Sequence, residues 1–248
     1  MENVFNSPLG VGGLHIVITG ASKGIGKAIA EKFAGDKQGH TFYLCSRSND
    51  ALKALEKELQ ERFSNNRFLP KASDLSIKDD VKMFAQWILQ QTSRIDILVN
   101  NAGIFIPGNV FDEEDGLLEK VMQVNLFAPY HLTRLLLPAM ISHKRGHIFN
   151  IASIAALQAY PGGGSYGISK FALDGFSKNL RHEMKEYGIK VTAVYPGATY
   201  TDSWKSSGIS PDRFMKAEDI AQMIYAASHL SPQACVEEIV IRPQLGDL

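Results

Sequence analysis

A tyrosine and a lysine four positions apart, Tyr166 and Lys170 in the stretch SYGISK, have side chains that could exchange a proton with a substrate. Residues four apart share one face of a helix, so both side chains point into the same space. A free tyrosine has a pKa of about 10. A lysine cation about 5 Å away, at an effective dielectric constant of about 20, favours the phenolate by roughly 3 kcal/mol. The pair therefore fits general acid–base catalysis, although such a pair taken alone is more often a core tyrosine beside a surface lysine.

A serine, Ser153, follows the apolar run GHIFNI and precedes Tyr166 by thirteen residues. No G-x-S-x-G pattern surrounds this serine, so a hydrolase nucleophile is not indicated. Its hydroxyl can instead donate a hydrogen bond to a substrate oxygen, as an oxyanion stabiliser does.

The stretch HIVITGASKGIGKAIAEKF predicts a strand, a glycine-rich turn and a helix. Gly20 would end the strand tightly, while Gly24 and Gly26 would let a pyrophosphate approach the backbone. The unpaired N–H groups and the positive dipole end of the helix would then favour that anion. The turn predicts dinucleotide binding, with a plain tight strand–helix loop as the alternative. Its predicted cofactor contacts are Gly20, Ser22, Lys23, Gly24, Ile25 and Gly26.

The end of the second predicted strand, YLCSRSND, indicates which dinucleotide binds. An NAD-binding chain usually has a carboxylate at this point for the ribose hydroxyls, and this chain has Ser46 followed by Arg47. With Lys23 they could clamp a 2′-phosphate, each charge-assisted hydrogen bond contributing about 1.5–3 kcal/mol. We therefore predict NADP(H) rather than NAD(H); the alternative is that Arg47 and Lys23 are solvated surface cations.

Short apolar or β-branched runs alternate with longer stretches of helical period. The predicted strands are 14–19, 41–46, 67–72, 96–100, 146–151, 190–195 and 237–242. The predicted helices are 24–34, 49–63, 77–92, 114–142, 165–187 and 216–229, the fourth broken into two around Asn125 to Pro129. This alternation is typical of right-handed βαβ crossovers, so we predict one doubly wound α/β domain with a mostly parallel seven-stranded sheet and helices on both faces.

Six short motifs follow one another along nearly the whole chain. They are T-G-x-x-x-G-x-G from Thr19 to Gly26, NNAG at 100–103, Asn125, Ser153, Tyr166-x-x-x-Lys170 and Pro196-Gly197. In these motifs the chain resembles the classical short-chain dehydrogenase/reductase family. The resemblance implies a single Rossmann-type domain over residues 1–248, with 14–150 binding the cofactor and 151–248 carrying catalysis and substrate binding. It also implies an NADP-dependent oxidoreductase acting on CH–OH or C=O groups.

The resemblance also assigns roles to individual residues. Tyr166 would donate a proton to the carbonyl oxygen, Ser153 would bind that oxygen, Lys170 would also bind the nicotinamide ribose, and Asn125 would hold a water. The alternative for Asn125 is a polar residue that accommodates a helix break. The glycine turn, Ser46 and Arg47 are already named as cofactor contacts. The resemblance implies these further contacts: Asp74, Leu75, Asn101, Ala102, Gly103, Tyr166, Lys170, Pro196, Gly197, Thr199 and Thr201.

The substrate is less defined by the sequence. The segments YPGATYTDSW and VEEIVIRP resemble the bacterial sepiapterin-reductase-like branch of the family, which implies reduction of a small ketone, such as a pterin side-chain ketone. The alternatives are a 3-oxoacyl-carrier-protein reductase or another alcohol dehydrogenase of the family, a non-catalytic NADP-binding sensor, and a hydratase or epimerase. Candidate substrate contacts are Leu157, Tyr200, Asp202, Trp204 and Asp247, where either acid could hold the substrate or be a plain loop acid.

The bulk composition narrows the remaining possibilities. Lysine plus arginine equals aspartate plus glutamate at 26 each, so no net charge favours nucleic acid or an anionic membrane. Cys45 and Cys235 have no metal-type spacing and are expected to be buried strand residues, and the seven histidines form no ligand set, so no metal is expected. The N-terminus has no signal-like region, so a cytoplasmic protein is expected. The family resemblance implies a homodimer or homotetramer, with the helices at 114–142 and 165–187 as the interface.

Overall fold

The computed structural model describes residues 13–201 and 208–248. Over these residues the chain forms seven β-strands in the runs that the sequence predicts. The five inner strands are buried on both faces of the sheet, which their mostly β-branched and apolar residues favour. The strands are β1 His15–Thr19, β2 Thr41–Ser46, β3 Arg67–Ala72, β4 Ile97–Asn100, β5 Gly146–Ile151, β6 Ile189–Pro196 and β7 Glu238–Ile241.

The strands form one sheet in the order β3-β2-β1-β4-β5-β6-β7. All six pairings between them are parallel, so the predicted doubly wound α/β fold is confirmed, and the sheet is wholly parallel rather than mostly so. The strand order reverses between β1 and β4. Parallel strands end at the same edge, so the loops after β1, β4, β5 and β6 meet there, and a crevice for a ligand is expected at such a reversal.

Helices cover both faces of the sheet. They are α1 Gly24–Ala34, α2 Asn49–Arg62, α3 Lys78–Gln91, α4 Leu117–Met122, α5 Ala128–Ser142, α6 Gly164–Met184 and α7 Ala217–Ser228. Helices α1, α2 and α7 pack on the face that contains Ile16 and Ile18. Helices α3, α5 and α6 pack on the face that contains Val17 and Leu98. Each such fully buried aliphatic side chain contributes roughly 1.5–3 kcal/mol to folding.

The predicted division into two helices around Asn125 to Pro129 lies where α4 ends and α5 begins, and it is a change of helix type rather than a gap in the helix. Residues Gln123–Phe127 form a single π-helical turn that joins α4 to α5 without interrupting the helical path. Pro129 stands in the first turn of α5. It has no N–H for the carbonyl four residues earlier, and this favours a local departure from regular α-helical bonding.

The two cysteines differ in their surroundings. Cys45 is buried in β2 as expected, but Cys235 is half-buried in the loop before β7, so its predicted strand position is wrong. Both thiols are free. Among the described residues, no helix is sufficiently long and apolar to cross a membrane.

Candidate active site at the carboxyl edge of the sheet

The turn between β1 and α1 is shaped by glycine. Gly20 and Gly24 have positive φ angles of 66° and 55°, which side-chain-bearing residues rarely adopt. A Cβ on Gly26 would lie 2.7 Å from Asn101 Nδ2 and 3.0 Å from Ala21 Cα, so no side chain fits there. The N-cap residue of α1, Lys23, makes no side-chain capping bond, and no acid lies in the first turn. The helix end is therefore suited to an anion, as a dinucleotide pyrophosphate requires.

The loop after β4 is tied to this turn by Asn101. Its Nδ2 donates to the carbonyls of Thr19 at 2.9 Å and Gly20 at 3.1 Å. The Thr19 hydroxyl in turn accepts the backbone N–H groups of Asn101 and Ala102, each at 3.0 Å. These bonds fix the spacing of β1 and β4 at the point where the strand order reverses. Asn101 therefore closes the strand ends as well as lying at the predicted cofactor crevice.

The ends of β2 and β3 carry the residues predicted to meet the adenosine half. Ser46 is half-buried, Arg47 is exposed, and Leu75 is buried. Two hydrogen bonds from Ser76 hold the pKa of the Asp74 carboxyl below its usual range, and the cation of Arg47 lowers it further. Arg47 thus lies near Asp74. Ser22 and Ile25 stand in the glycine turn, half-buried, and Lys23 is exposed there.

Lys170 and Tyr166 lie together on α6, as their spacing predicts. The Lys170 ammonium is 5.7 Å from the centroid of the Tyr166 ring and donates to the Ile151 carbonyl at the end of β5 at 2.9 Å. Lys170 is buried, with 5% of its surface exposed. Ser153 is buried two residues beyond β5, where its hydroxyl accepts the N–H of Ala155 at 3.1 Å. The three side chains therefore converge on one region at the carboxyl edge of the sheet.

The prediction that Lys170 lowers the pKa of Tyr166 is wrong. Burial raises the pKa of Tyr166 above its ordinary value of 10.0, and a hydrogen bond with Ser153 opposes that rise. Burial also lowers the pKa of Lys170 from 10.5 to about 8. Desolvation penalises both charged forms here, and it outweighs the attraction that the spacing alone suggests. Near neutral pH this site therefore holds a protonated phenol beside a cationic lysine.

Asn125 is fully engaged by neighbouring residues. Its Oδ1 accepts the N–H of Ile104 at 2.8 Å, and its Nδ2 donates to the Ile104 carbonyl at 3.0 Å. The same Nδ2 donates to Ser169 Oγ at 2.9 Å, and Ser169 donates to the Tyr166 carbonyl at 2.7 Å. Gly103 lies close to these groups, because a Cβ there would lie 3.3 Å from Asn125 Oδ1 and 3.6 Å from Lys170 Nζ. The π-helical turn thus joins the loop after β4 to the helix that carries Tyr166 and Lys170.

The segment after β6 returns to the glycine turn. A Cβ on Gly24 would lie 3.3 Å from Thr201 Cγ2, so Thr201 stands against that turn. Thr199 is buried and donates to the Gly197 carbonyl at 3.0 Å, and Pro196 ends the strand. Tyr200 is partly exposed and its ring lies 5.8 Å from that of Phe214.

The candidate substrate residues other than Tyr200 fall into three groups. Leu157 is partly exposed at the end of the short 3₁₀ turn Ile154–Ala156, which follows Ser153. Asp247 pairs with Arg242 and would lie 3.4 Å from a Cβ on Gly197. Asp202 and Trp204 lie outside the described residues.

Two aromatic residues beside Tyr166 carry no motif in the sequence. The Phe105 ring meets the Tyr166 ring edge-on, with centroids 4.8 Å apart. Burial raises the pKa of Tyr160 to about 12, and its neighbour Tyr166 contributes to that rise. Ser169 is also absent from the prediction although it belongs to the SYGISK stretch. Contacts with distant segments identify Phe105 and Ser169, which meet Tyr166 and Asn125 respectively.

Known proteins share this architecture. A solved metagenomic short-chain oxidoreductase in complex with NADP matches with a TM-score of 0.80 and 33% identity, covering 94% of this chain and 98% of that chain. The sepiapterin reductase of Chlorobaculum tepidum is 33% identical over 239 residues, which are 94% of this chain and 97% of that protein.

A further relative is longer than the matched region. The Xenopus tropicalis protein named dehydrogenase/reductase SDR family member 7B is 39% identical over 191 residues, which are 75% of this chain and only 61% of that protein. The family model described as short chain dehydrogenase matches residues 14–211. The chain belongs to the short-chain dehydrogenase family.

Proposed function

We propose that the protein is an NADPH-dependent carbonyl reductase that reduces a small ketone. The observation that carries this proposal is the convergence of Ser153, Tyr166 and buried Lys170 at the edge where the glycine turn opens. When bound, NADPH supplies the hydride that adds to the carbonyl carbon. We assign residues 14–150 to cofactor binding and 151–248 to catalysis and substrate binding.

Tyr166 is the proton donor in the direction of reduction. Its raised pKa keeps the phenol protonated near neutral pH, and this is the form that can protonate a developing alkoxide. Ser153 binds the same substrate oxygen and, through its hydrogen bond to the phenol, orients the donor. Lys170 stabilises the phenolate that remains after proton transfer, because its ammonium is held near the ring by the Ile151 carbonyl.

Asn125 supports proton return through its backbone. The side-chain amide is occupied by Ile104 and Ser169, so it is not the part that we assign to the water. Pro129 follows four residues later and has no N–H to give to the Asn125 carbonyl in a regular helix. We assign that carbonyl as the acceptor for the water that reprotonates the site by way of Lys170.

The cofactor is NADP(H). The glycine turn and the open first turn of α1 fit a pyrophosphate, and Ser46, Arg47 and Lys23 supply hydroxyl and cationic groups for a 2′-phosphate. The bound NADP of the metagenomic relative supports this choice over NAD(H).

The substrate is a ketone attached to a compact, flat group. Phe105 and Tyr160 beside Tyr166 supply aromatic surface that would pack on such a group. The similarity to a sepiapterin reductase supports a pterin side-chain ketone. Asp247 could then hold the pterin ring after leaving Arg242.

We further propose a cytoplasmic homodimer or homotetramer. The free thiols fit a reducing compartment. Large apolar side chains stand partly exposed on the helices expected to form the interface, and a second copy would cover them. They are Phe127, Tyr130, Ile168 and Phe171.

A carbonyl panel tests the proposed function. NADPH oxidation would be followed by absorbance with sepiapterin, an acetoacetyl thioester and small sugars as acceptors, each repeated with NADH. We expect turnover with a pterin ketone and preference for NADPH. Turnover with the thioester alone would favour the acyl-carrier-protein reductase alternative, and no NADPH oxidation with any ketone would contradict the reductase assignment.

A further inference from the structure

Two loops meet at the start of α6, two residues before Tyr166. The loop after β4 and the glycine run at 162–164 form an isolated bridge between Gly108 and Gly163. The Gly108 N–H donates to the Gly162 carbonyl at 3.1 Å, and the Gly162 N–H donates to Asn109 Oδ1 at 3.2 Å. The first loop therefore abuts the helix that carries the proton donor.

Glu113 makes the connection between the first loop and α6 itself. Its Oε1 accepts the backbone N–H of Ser165 at 2.8 Å, and its Oε2 accepts the hydroxyl of the same serine. Gly163, the N-cap residue of α6, has no side chain, and no acid lies in the helix's own first turn. The carboxylate therefore provides from another segment what an N-cap acid usually provides, which is a hydrogen-bond acceptor and a negative charge at the positive end of the helix.

The space at this contact is closely fitted. Gly164 has a φ of 26°, and a Cβ on it would overlap Glu113 Oε1 and would lie 2.6 Å from the Gly108 carbonyl oxygen. Ser165 is buried, with 1% of its surface exposed. The glycine run YPGGGS thus permits a carboxylate from a distant loop to reach the helix.

We propose that Glu113 is a positioning residue for Tyr166. By accepting hydrogen bonds from the N–H and the hydroxyl of Ser165, it fixes the first turn of α6. It also holds the loop that places Phe105 edge-on against the Tyr166 ring. This inference rests on the proposed function, since it concerns the placement of the proposed proton donor. A displacement of about 1 Å at a reacting group can lower a rate by about 100-fold, so a contact one residue away has a measurable effect.

Three variants separate positioning from folding. Glu113→Ala removes both acceptors. Glu113→Gln keeps one acceptor for the Ser165 N–H and offers an amide donor to its hydroxyl, so it rescues the geometry without the charge. The matched control is Glu114→Gln, which neutralises an exposed acid next to it in the chain.

We expect Glu113→Ala to lower kcat for ketone reduction by about 10- to 100-fold. Glu113→Gln should lower kcat several-fold less than Glu113→Ala does, and the kcat of Glu114→Gln should match that of the wild type. The KM for NADPH should stay unchanged in all three, because the Glu113 carboxylate binds Ser165 at the start of α6 rather than the turn proposed to hold the pyrophosphate. If Glu113→Ala does not fold, Glu113→Gln and Ser165→Ala, singly and combined, give the same information, and their effects on kcat should be less than additive.

The positioning role would be overturned if Glu113→Ala had a lower Tm but the same kcat as the wild type, counted per folded site that binds NADPH. The reductase assignment would then remain intact. Additive effects of Glu113→Gln and Ser165→Ala would also overturn it. If the wild-type protein reduces no ketone, the proposed function fails first, and the positioning role fails with it.

Discussion

The two halves of the carboxyl edge are built in different ways. Around β1, α1 and β4, the binding surface is made of backbone groups, with glycines at positions where a Cβ has no room. Around β5 and α6, the surface is made of buried side chains, whose properties are set by desolvation. A substitution in the backbone-built half changes the shape of the surface, whereas a substitution in the side-chain half removes or alters a reacting group. Substitutions in the two halves should therefore affect different kinetic constants.

Replacing the phenol should have the largest effect. Tyr166→Phe keeps the ring against Phe105 but removes the proton donor, so kcat should fall by about 1,000-fold while NADPH still binds. Steady-state kinetics together with fluorescence titration of NADPH would measure both. Full turnover in a folded, cofactor-saturated variant would contradict the assignment of Tyr166.

A side chain added to the glycine turn should weaken cofactor binding in the backbone-built half. Gly26→Ala would place a Cβ 2.7 Å from Asn101 Nδ2, and the resulting shift of the turn should weaken NADPH binding by about 100-fold. Gly175→Ala, where nothing lies within 4 Å of the new Cβ, is the matched control and should bind NADPH normally. Equal affinity in both variants, measured by calorimetry on folded protein, would show that the turn does not approach the cofactor.

The choice of dinucleotide should depend on Arg47. Arg47→Ala should raise the KM for NADPH by about 10- to 100-fold, which corresponds to the loss of about 1.5–3 kcal/mol for a charge-assisted bond, and leave the KM for NADH little changed. Lys57→Ala, which removes an exposed cation from α2, is the control. An equal rise in the KM for NADPH and for NADH would indicate that Arg47 stabilises the fold and does not bind the 2′-phosphate.

The smallest expected effect is a pH dependence in the side-chain half. Burial lowers the pKa of Lys170 to about 8, so its cation is present below that pH and is lost above it. The kcat/KM for ketone reduction, which reports on the free enzyme, should therefore be level near pH 7 and fall several-fold between pH 8 and 10. A profile that stays level to pH 10, with stable protein, would show that the lysine charge is not needed.

The difference between the halves also explains what the sequence could reveal. The strands are readable because both faces of β1, β2, β4, β5 and β6 are apolar, and the strand bounds agree with prediction within one or two residues. The glycine turn can be predicted because glycine adopts positive φ angles far more readily than other residues do. The spacing of Tyr166 and Lys170 predicts that they share a helix face, and the resemblance to the family is what marks them and Ser153 as a catalytic set.

The remaining features depend on tertiary burial. Nothing in the acidic run DEED separates Glu113, which reaches α6, from Glu114, which is exposed. The raised pKa of Tyr166 reflects desolvation by neighbours that the local sequence does not contain. A proline in α5 suggests an interrupted helix, and the structure instead accommodates it with a π-helical turn.

That π-helical turn limits how the protein could be redesigned. One residue in a helix corresponds to about 100° of rotation, so the turn lets α4 and α5 keep different inward faces within one continuous rod. Deleting a single residue from 123–127 would restore ideal geometry and rotate Asn125 away from Ile104 and Ser169. A stabilised variant obtained in this way would have a more regular helix and no cross-brace between the loop after β4 and α6.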